Sequence, residues 1–122
     1  MIDHITIYGS DYERSKKFYV ETLAPLGYNI GAEFEMEGMK CFGLADHTGK
    51  IDYWVAEGEA SKHFHTALTA RSHEEVQQFH EAGLRAGGTD NGKPGPRPEY
   101  DENYYAAFIL DPDGNNIEAM MR

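Results

Sequence analysis

The chain has 122 residues, 21 acidic against 11 basic side chains, and a formal charge of −10. That length allows one ordinary folding unit with a real core but not two independent ones, and the lack of any Lys/Arg run removes the footprint expected of a nucleic-acid or anionic-membrane binder. One cysteine, Cys41, excludes an internal disulfide, and no apolar run approaches the roughly 20 residues of a bilayer span, so the expectation is a soluble, cytoplasmic protein.

In "DHITIYG", Ile5 and Ile7 alternate with His4, Thr6 and Tyr8, which predicts a strand. Ser10 and Glu13 then form a capping-box pattern, and the spacing of Phe18, Tyr19, Thr22 and Leu23 predicts a helix that ends at Pro25 and Gly27. Extended segments follow at about 28–36, 39–45 and 51–56, separated by Glu37-Gly38 and by "DHTGK", both suited to hairpin turns. The pattern then restarts. "KHFHTALTA" reads as a strand with Phe64 and Leu68 on one face and His63, His65 and Ala67 on the other. Ser72 and Glu75 repeat the capping box, and Val76, Phe79, His80 and Leu84 mark a second amphipathic helix ending at Gly87-Gly88. "NGKPGPRPEY" reads as a Gly- and Pro-rich loop, "YYAAFIL" as a strand, and "NIEAM" as a last strand with Ile117 and Ala119 opposite Asn116, Glu118 and Met120.

Shifting one half over the other by 61 positions superposes His4 on His65, Glu13 on Glu74, Phe18 on Phe79, Leu23 on Leu84 and Gly27 on Gly88. This self-similarity predicts an α+β domain over residues 1–122 built from two tandem βαβββ modules, about 1–58 and 62–122. Each helix can cover only one face of its sheet, so a curled mixed sheet around a cleft is expected, with the helices outside. Strand parity then puts His4, His65 and Glu118 on the cleft side.

Paired modules of this kind, a His in the first strand of each, and "DPDG" followed by a strand carrying Glu resemble the vicinal oxygen chelate superfamily. That superfamily includes glyoxalase I, bleomycin-resistance proteins, fosfomycin-resistance enzymes and extradiol dioxygenases. The resemblance implies that His4, His65 and Glu118 bind a divalent metal, which chelates two neighbouring oxygens of a substrate. Two imidazoles and one carboxylate suit Fe(II), Mn, Zn, Ni or Co and leave open positions, and a cation also offsets the cost of burying a carboxylate on an apolar strand. The sequence departs from glyoxalase I in "KIDYWVAEG", where a second Glu is expected. That slot falls to Asp52 or Trp54, which share a face by parity; Trp54 is the expected pocket wall, with Asp52 the alternative as a fourth ligand.

His63 is the rival to His65, and the repeat register selects His65. His47, His73 and His80 carry no assigned chemistry, with His80 read as helix packing, and Cys41 reads as a small buried hydrophobe. In the loop and strand of the second half, Arg97 is a candidate for holding a substrate carboxylate, and Tyr100 or Tyr104 for donating to a developing anion or serving as acid/base, with Tyr104 placed beside Glu118 as catalytic and Tyr100 as substrate-binding. Phe108, with Tyr104, Ala106 and Leu110, gives an apolar floor that argues against a phosphonate substrate. The leading expectation is a metal-dependent lyase, isomerase or dioxygenase acting on a small bidentate oxygen substrate. The competing one is a metal-free binding protein of the bleomycin-resistance type, using Trp54, Tyr100, Tyr104 and Phe108 as stacking surfaces. The resemblance also implies a homodimer.

Overall fold

In the computed structural model, which describes residues 1–122, the sequence repeat appears as two modules of the same plan. The first runs β1 (Ile5–Gly9), α1 (Tyr12–Leu23), β2 (Asn29–Met36), β3 (Met39–Ala45) and β4 (Ile51–Glu57). The second runs β5 (His65–Thr69), α2 (His73–Arg85), β6 (Thr89–Pro96), β7 (Tyr105–Leu110) and β8 (Asn116–Met121). Each module makes its own four-stranded mixed sheet, in the orders β1-β4-β3-β2 and β5-β8-β7-β6. The first strand of each pairs in parallel with the last, while the other neighbours are antiparallel.

Local chemistry sets these elements. At the β2–β3 hairpin both central residues are left-handed, Glu37 at φ 53° and Gly38 at φ 80°, the twist that two-residue hairpins require. Gly27 at φ 93° closes the single 3₁₀ turn that follows α1. The predicted helix stripe of Phe18, Tyr19, Thr22 and Leu23 is fully buried. It merges with Val76 and Phe79 of α2 and with Ile7, Phe42, Tyr53, Ile109 and Ile117 of the sheets in one core cluster of 19 buried residues. "DPDGNN" is the pin between modules: buried Asp111 accepts from the Tyr19 hydroxyl at 2.5 Å and from the backbone N–H groups of Asp113 and Asn115. Asp113, in the same turn, reaches Ser10 and Arg14 of the first module.

Four local expectations are corrected. The N-cap of α1 is Asp11, whose carboxylate accepts from Arg14 N–H, because the Ser10 hydroxyl is drawn away to donate to Asp113. Ser72 does cap α2, but Glu75 turns to the backbone and guanidinium of Arg71 rather than closing a box on Ser72. Leu84 is 44% exposed. Gly83 takes its place against the sheet, so close that a Cβ there would lie 3.0 Å from Ile109, and this approach rolls Leu84 to the rim. Finally, the first part of the loop expected over 91–100 lies instead in the edge strand β6, where Pro94 and Pro96 are tolerated because an edge strand has one side unpaired and the register breaks twice against β7. His80 is core packing as expected, with its Nε2 2.9 Å from Asp90.

Candidate functional site

Glu118 sits mid-strand in β8, in register with Ala67 of β5 on one side and Phe108 of β7 on the other. Its side chain is only 4% exposed. A carboxylate so placed costs several kcal/mol unless it is paired, and two neighbours pair it. The Tyr104 hydroxyl donates to Oε1 at 2.5 Å, and His65 Nε2 lies 3.1 Å from Oε2. Burial, then the Glu118 hydrogen bond and charge, push the Tyr104 phenol up to about 12, so it remains a donor at neutral pH.

The third contact fixes the imidazole. His65 Nδ1 lies 3.1 Å from the backbone carbonyl of Asn116, which can only accept, so Nδ1 must carry the proton. Nε2 is then either protonated as well or directs a lone pair at a carboxylate oxygen. The second arrangement is repulsive unless a cation lies between them. His65 and Glu118 therefore form a pair that demands a cation, met by a proton or by a metal ion, and the outer carbonyl on Nδ1 is the support that metal-binding histidines use. The donor chemistry of the pair fits a divalent metal.

Beside this pair is a pocket of about 320 Å³ lined by Asn91, Gly92, Arg97, Tyr100, Phe108 and Asn116. Phe108 stacks on His65 at 6.4 Å between ring centres, and the Arg97 guanidinium lies 5.5 Å over the Phe108 ring. Tyr100 meets Tyr104 edge-on at 5.2 Å. The structure thus brings together six of the predicted residues: His65, Glu118, Tyr104, Tyr100, Phe108 and Arg97. Asn91 and Asn116 were not anticipated; an Asn in a turn or strand end carries no sequence signal for such a role.

His4 and Trp54 lie on the other sheet. They border a second, largely apolar pocket of about 420 Å³ with Tyr8, Phe34, Met36 and Cys41. His4 is half-exposed, with Nδ1 2.8 Å from Asp3, whose carboxyl is held below its ordinary range by that bond and by Lys50. Strand register settles the Trp54 question. Trp54 pairs with Thr6 as Glu118 pairs with Ala67, and Thr6 and Ala67 are equivalent in the 61-residue repeat. The slot that holds Glu118 in the second module holds an indole in the first. Asp52 does not share the Trp54 face: the register slips between Leu44 and Ala45, Ile51 moves beside Trp54 over Gly43, and Asp52 turns to the Tyr28 hydroxyl at 3.3 Å. His63 leaves the strand pattern too, at φ 57° just before β5, so the alternation linking it to His65 does not hold. Within one chain, no three His, Cys, Asp and Glu side chains form a group able to hold a metal.

The paired modules give the fold of the vicinal oxygen chelate type, and comparison with known proteins gives the family directly. Residues 1–119 match the Glyoxalase/Bleomycin resistance protein/Dioxygenase superfamily, and the chain belongs to it. Among solved structures, a glyoxalase/bleomycin resistance protein from Albidiferax ferrireducens T118 is 30% identical, with 98% of this chain and 97% of that one covered and a TM-score of 0.74. An E144Q mutant of glyoxalase I from Zea mays is similar in fold, at 23% identity and a TM-score of 0.76; 96% of this chain matches 45% of that one. A glyoxylase/bleomycin resistance protein/dioxygenase domain from Frankia sp. EAN1pec shares the fold at 14% identity and a TM-score of 0.75, over 99% and 96% of the two chains. No curated protein matches in sequence. No helix is long and apolar enough to cross a membrane.

Proposed function

We propose that the protein is a metal-dependent enzyme of the glyoxalase/dioxygenase type acting on a small substrate with two neighbouring oxygens. The observation that carries this reading is the 3.1 Å approach of His65 Nε2 to a buried Glu118 carboxylate, with Nδ1 held by Asn116. His65 and Glu118 would hold the ion together with His4, and the bound metal, one of Fe, Mn, Zn, Ni or Co, would supply Lewis-acid polarisation of the substrate oxygens. Trp54 in the second carboxylate slot keeps the protein donors to three and leaves positions open. Tyr104 would act with Glu118: the phenol donates to the carboxylate at rest and is placed to give a proton to a developing oxyanion. Phe108 and Tyr100 wall the site from water, and Arg97 and Trp54 contact the substrate.

Because His4 stands on the sheet opposite the pair, the complete set is proposed to form in a homodimer, with the first module of one copy facing the second module of the other. Mixing variants tests this. His4→Ala and Glu118→Gln chains should each bind metal poorly. Co-refolded, they should regain about a quarter of the wild-type sites, since half of randomly paired dimers are hetero-pairs holding one intact site in two. Recovery of none would place the site within one chain or remove the metal altogether. The apolar pocket around Phe34 and Trp54, centred 5.7 Å apart and edge-to-face, favours a second reading, a metal-free binder of planar ligands. Wild-type protein that takes up no metal yet quenches Trp54 fluorescence with such ligands would support it.

A further inference from the structure

The pocket beside the His65–Glu118 pair contains a charge that nothing on the chain neutralises. Arg97 is half-buried, lies over Phe108, and makes no ion pair, although the chain carries 21 acidic side chains. Of the other four arginines three find carboxylates, Arg14 on Asp113, Arg71 on Glu75 and Arg85 on Glu81, while Arg122, at the last position, lies 5.5 Å over the Tyr104 ring and does not line this pocket. The guanidinium is nonetheless firmly placed. Nη1 donates to the carbonyls of Gly95 and Pro96 at 3.0 and 3.3 Å, and Nη2 donates to that of Lys93 at 2.7 Å. These three bonds to one bent strand hold the side chain without discharging it.

A guanidinium has five N–H groups, and these contacts use three. The remaining two are Nε–H and one on Nη2, on neighbouring nitrogens that suit the two oxygens of a single carboxylate. The glycines around it complete the cradle. Gly92, at φ 158°, would bring a Cβ within 3.3 Å of Nη2, so a side chain there would crowd the group.

From this we infer that the substrate carries a carboxylate, or an equally planar monoanion, that docks on Arg97 over Phe108 while its vicinal oxygens reach the His65–Glu118 pair. The inference rests on the proposed function for the second half of that statement only. One unpaired cation favours a single negative charge: a dianionic phosphate would leave one charge uncompensated in a pocket otherwise lined by amides and aromatic rings. Phe108 and Tyr100 favour a flat body next to that charge.

The test uses metal-free wild-type protein, so that it reads the Arg97 pocket and not the metal. Benzoate, benzamide and inorganic phosphate are titrated while the Arg97 Nε–H and the Asn91 and Asn116 side-chain amide signals are followed by NMR. Benzoate is expected to shift the Arg97 Nε–H signal and to bind at least tenfold more tightly than benzamide or phosphate. Arg97→Gln should abolish that preference, and Arg97→Lys, which keeps the charge but loses the fork, should retain a part of it. An unmoved Nε–H signal, equal affinity for benzamide, or benzoate affinity unchanged in Arg97→Gln would each overturn the inference. The wild-type signal alone decides if Arg97→Gln does not fold. A separate cobalt titration of wild type and Arg97→Lys keeps the two readings apart: metal uptake without benzoate selectivity sinks the carboxylate site alone, and selectivity without metal uptake sinks the metal enzyme alone.

Discussion

The two sheets share a plan and differ in what they present. At equivalent register positions, the second sheet offers a buried carboxylate held by a phenol and an imidazole, whereas the first offers an indole packed on Phe34. Around the carboxylate lie Asn91, Asn116 and Arg97; around the indole lie Tyr8, Met36, Met39 and Cys41. A doubled backbone thus supplies two matching frames, and the side chains make one a polar half-site and the other an apolar wall. A site that binds a small polar ligand needs a few fixed polar groups and a surface that excludes water around them, and the proposed dimer would bring the polar frame and the apolar one together.

The sharpest way to break that comparison is to remove the carboxylate from its slot. Glu118→Gln keeps the shape and can still accept from Tyr104, but it takes away the negative charge beside His65. Metal affinity should fall by more than the roughly 10–100-fold typical of losing an outer-shell partner, whereas Trp54→Gln, the same residue put in the equivalent slot of the other sheet, should change it less than about tenfold. Cobalt titration followed by its visible spectrum reads both variants, and equal losses would show that the slots are not specialised.

The frames themselves can be tested next, through glycines that let the layers approach. A Cβ on Gly88 would lie 2.6 Å from both Ile109 and Phe18 and 2.8 Å from the Gly83 carbonyl, where rigid core and backbone must move. Gly88→Ala should cost about 3 kcal/mol in urea unfolding, at the upper end for overpacking. On the apolar wall, a Cβ on Gly43 would meet Ile51 and Trp54 at 2.7–2.9 Å. Trp54 lines an open pocket and both side chains are only half-buried, so they can give way and Gly43→Ala should cost only about 1 kcal/mol while shifting the Trp54 emission. The reverse order of costs would mean that the wall is the more rigid frame.

The polar frame also makes a prediction in pH. Tyr104 titrates at about 12 because it is buried and because a phenolate would stand against Glu118. Glu118→Gln removes the negative charge, makes the phenolate easier to form, and should lower that value toward the ordinary 10, stopping short because the burial remains. NMR of a ring-labelled Tyr104 reads this directly, and an unchanged midpoint would assign the whole shift to burial.

How much of this was visible in the chain depends on whether a residue's role follows from local periodicity. Ile5 and Ile7, the Phe18–Leu23 stripe and the three strands at 28–56 are set by alternation and helical spacing, and they stand where those patterns put them. The parity of Glu118 and Trp54 survived because β8 and the second half of β4 are regular. Asp52 and His63 were misjudged for one reason: each lies at a break in alternation, a register slip in β4 and a left-handed residue before β5, and parity cannot be carried across such a break. Leu84 failed because its position is decided by how near α2 comes to β7, which is a tertiary distance and leaves no trace in helix spacing. Edge strand β6 was hidden by its prolines, which mark loops and edge strands alike.

The smallest effect separates the modules at their helix starts. Both have Ser before the helix and Glu three residues on, and the same motif does different work in each. Ser72 accepts from Glu75 N–H at 3.1 Å, so Ser72→Ala should cost about 1 kcal/mol, the usual value for a lost cap. In α1 the cap is Asp11, accepting from Arg14 N–H at 3.0 Å, and Asp11→Ala should cost a similar amount, about 1 kcal/mol. Ser10→Ala acts elsewhere: it removes the hydroxyl that donates to Asp113 at 2.5 Å and leaves both the Asp11 cap and the Arg14–Asp113 pair at 3.1 Å in place, so the loss should stay near 0.5 kcal/mol and vanish once Asp113 is itself replaced. Urea unfolding of the three variants, with Ser10→Ala repeated in an Asp113→Ala background, would separate them: a Ser10→Ala cost that persists without Asp113 would restore Ser10 as a helix cap and make the two modules alike at their helix starts.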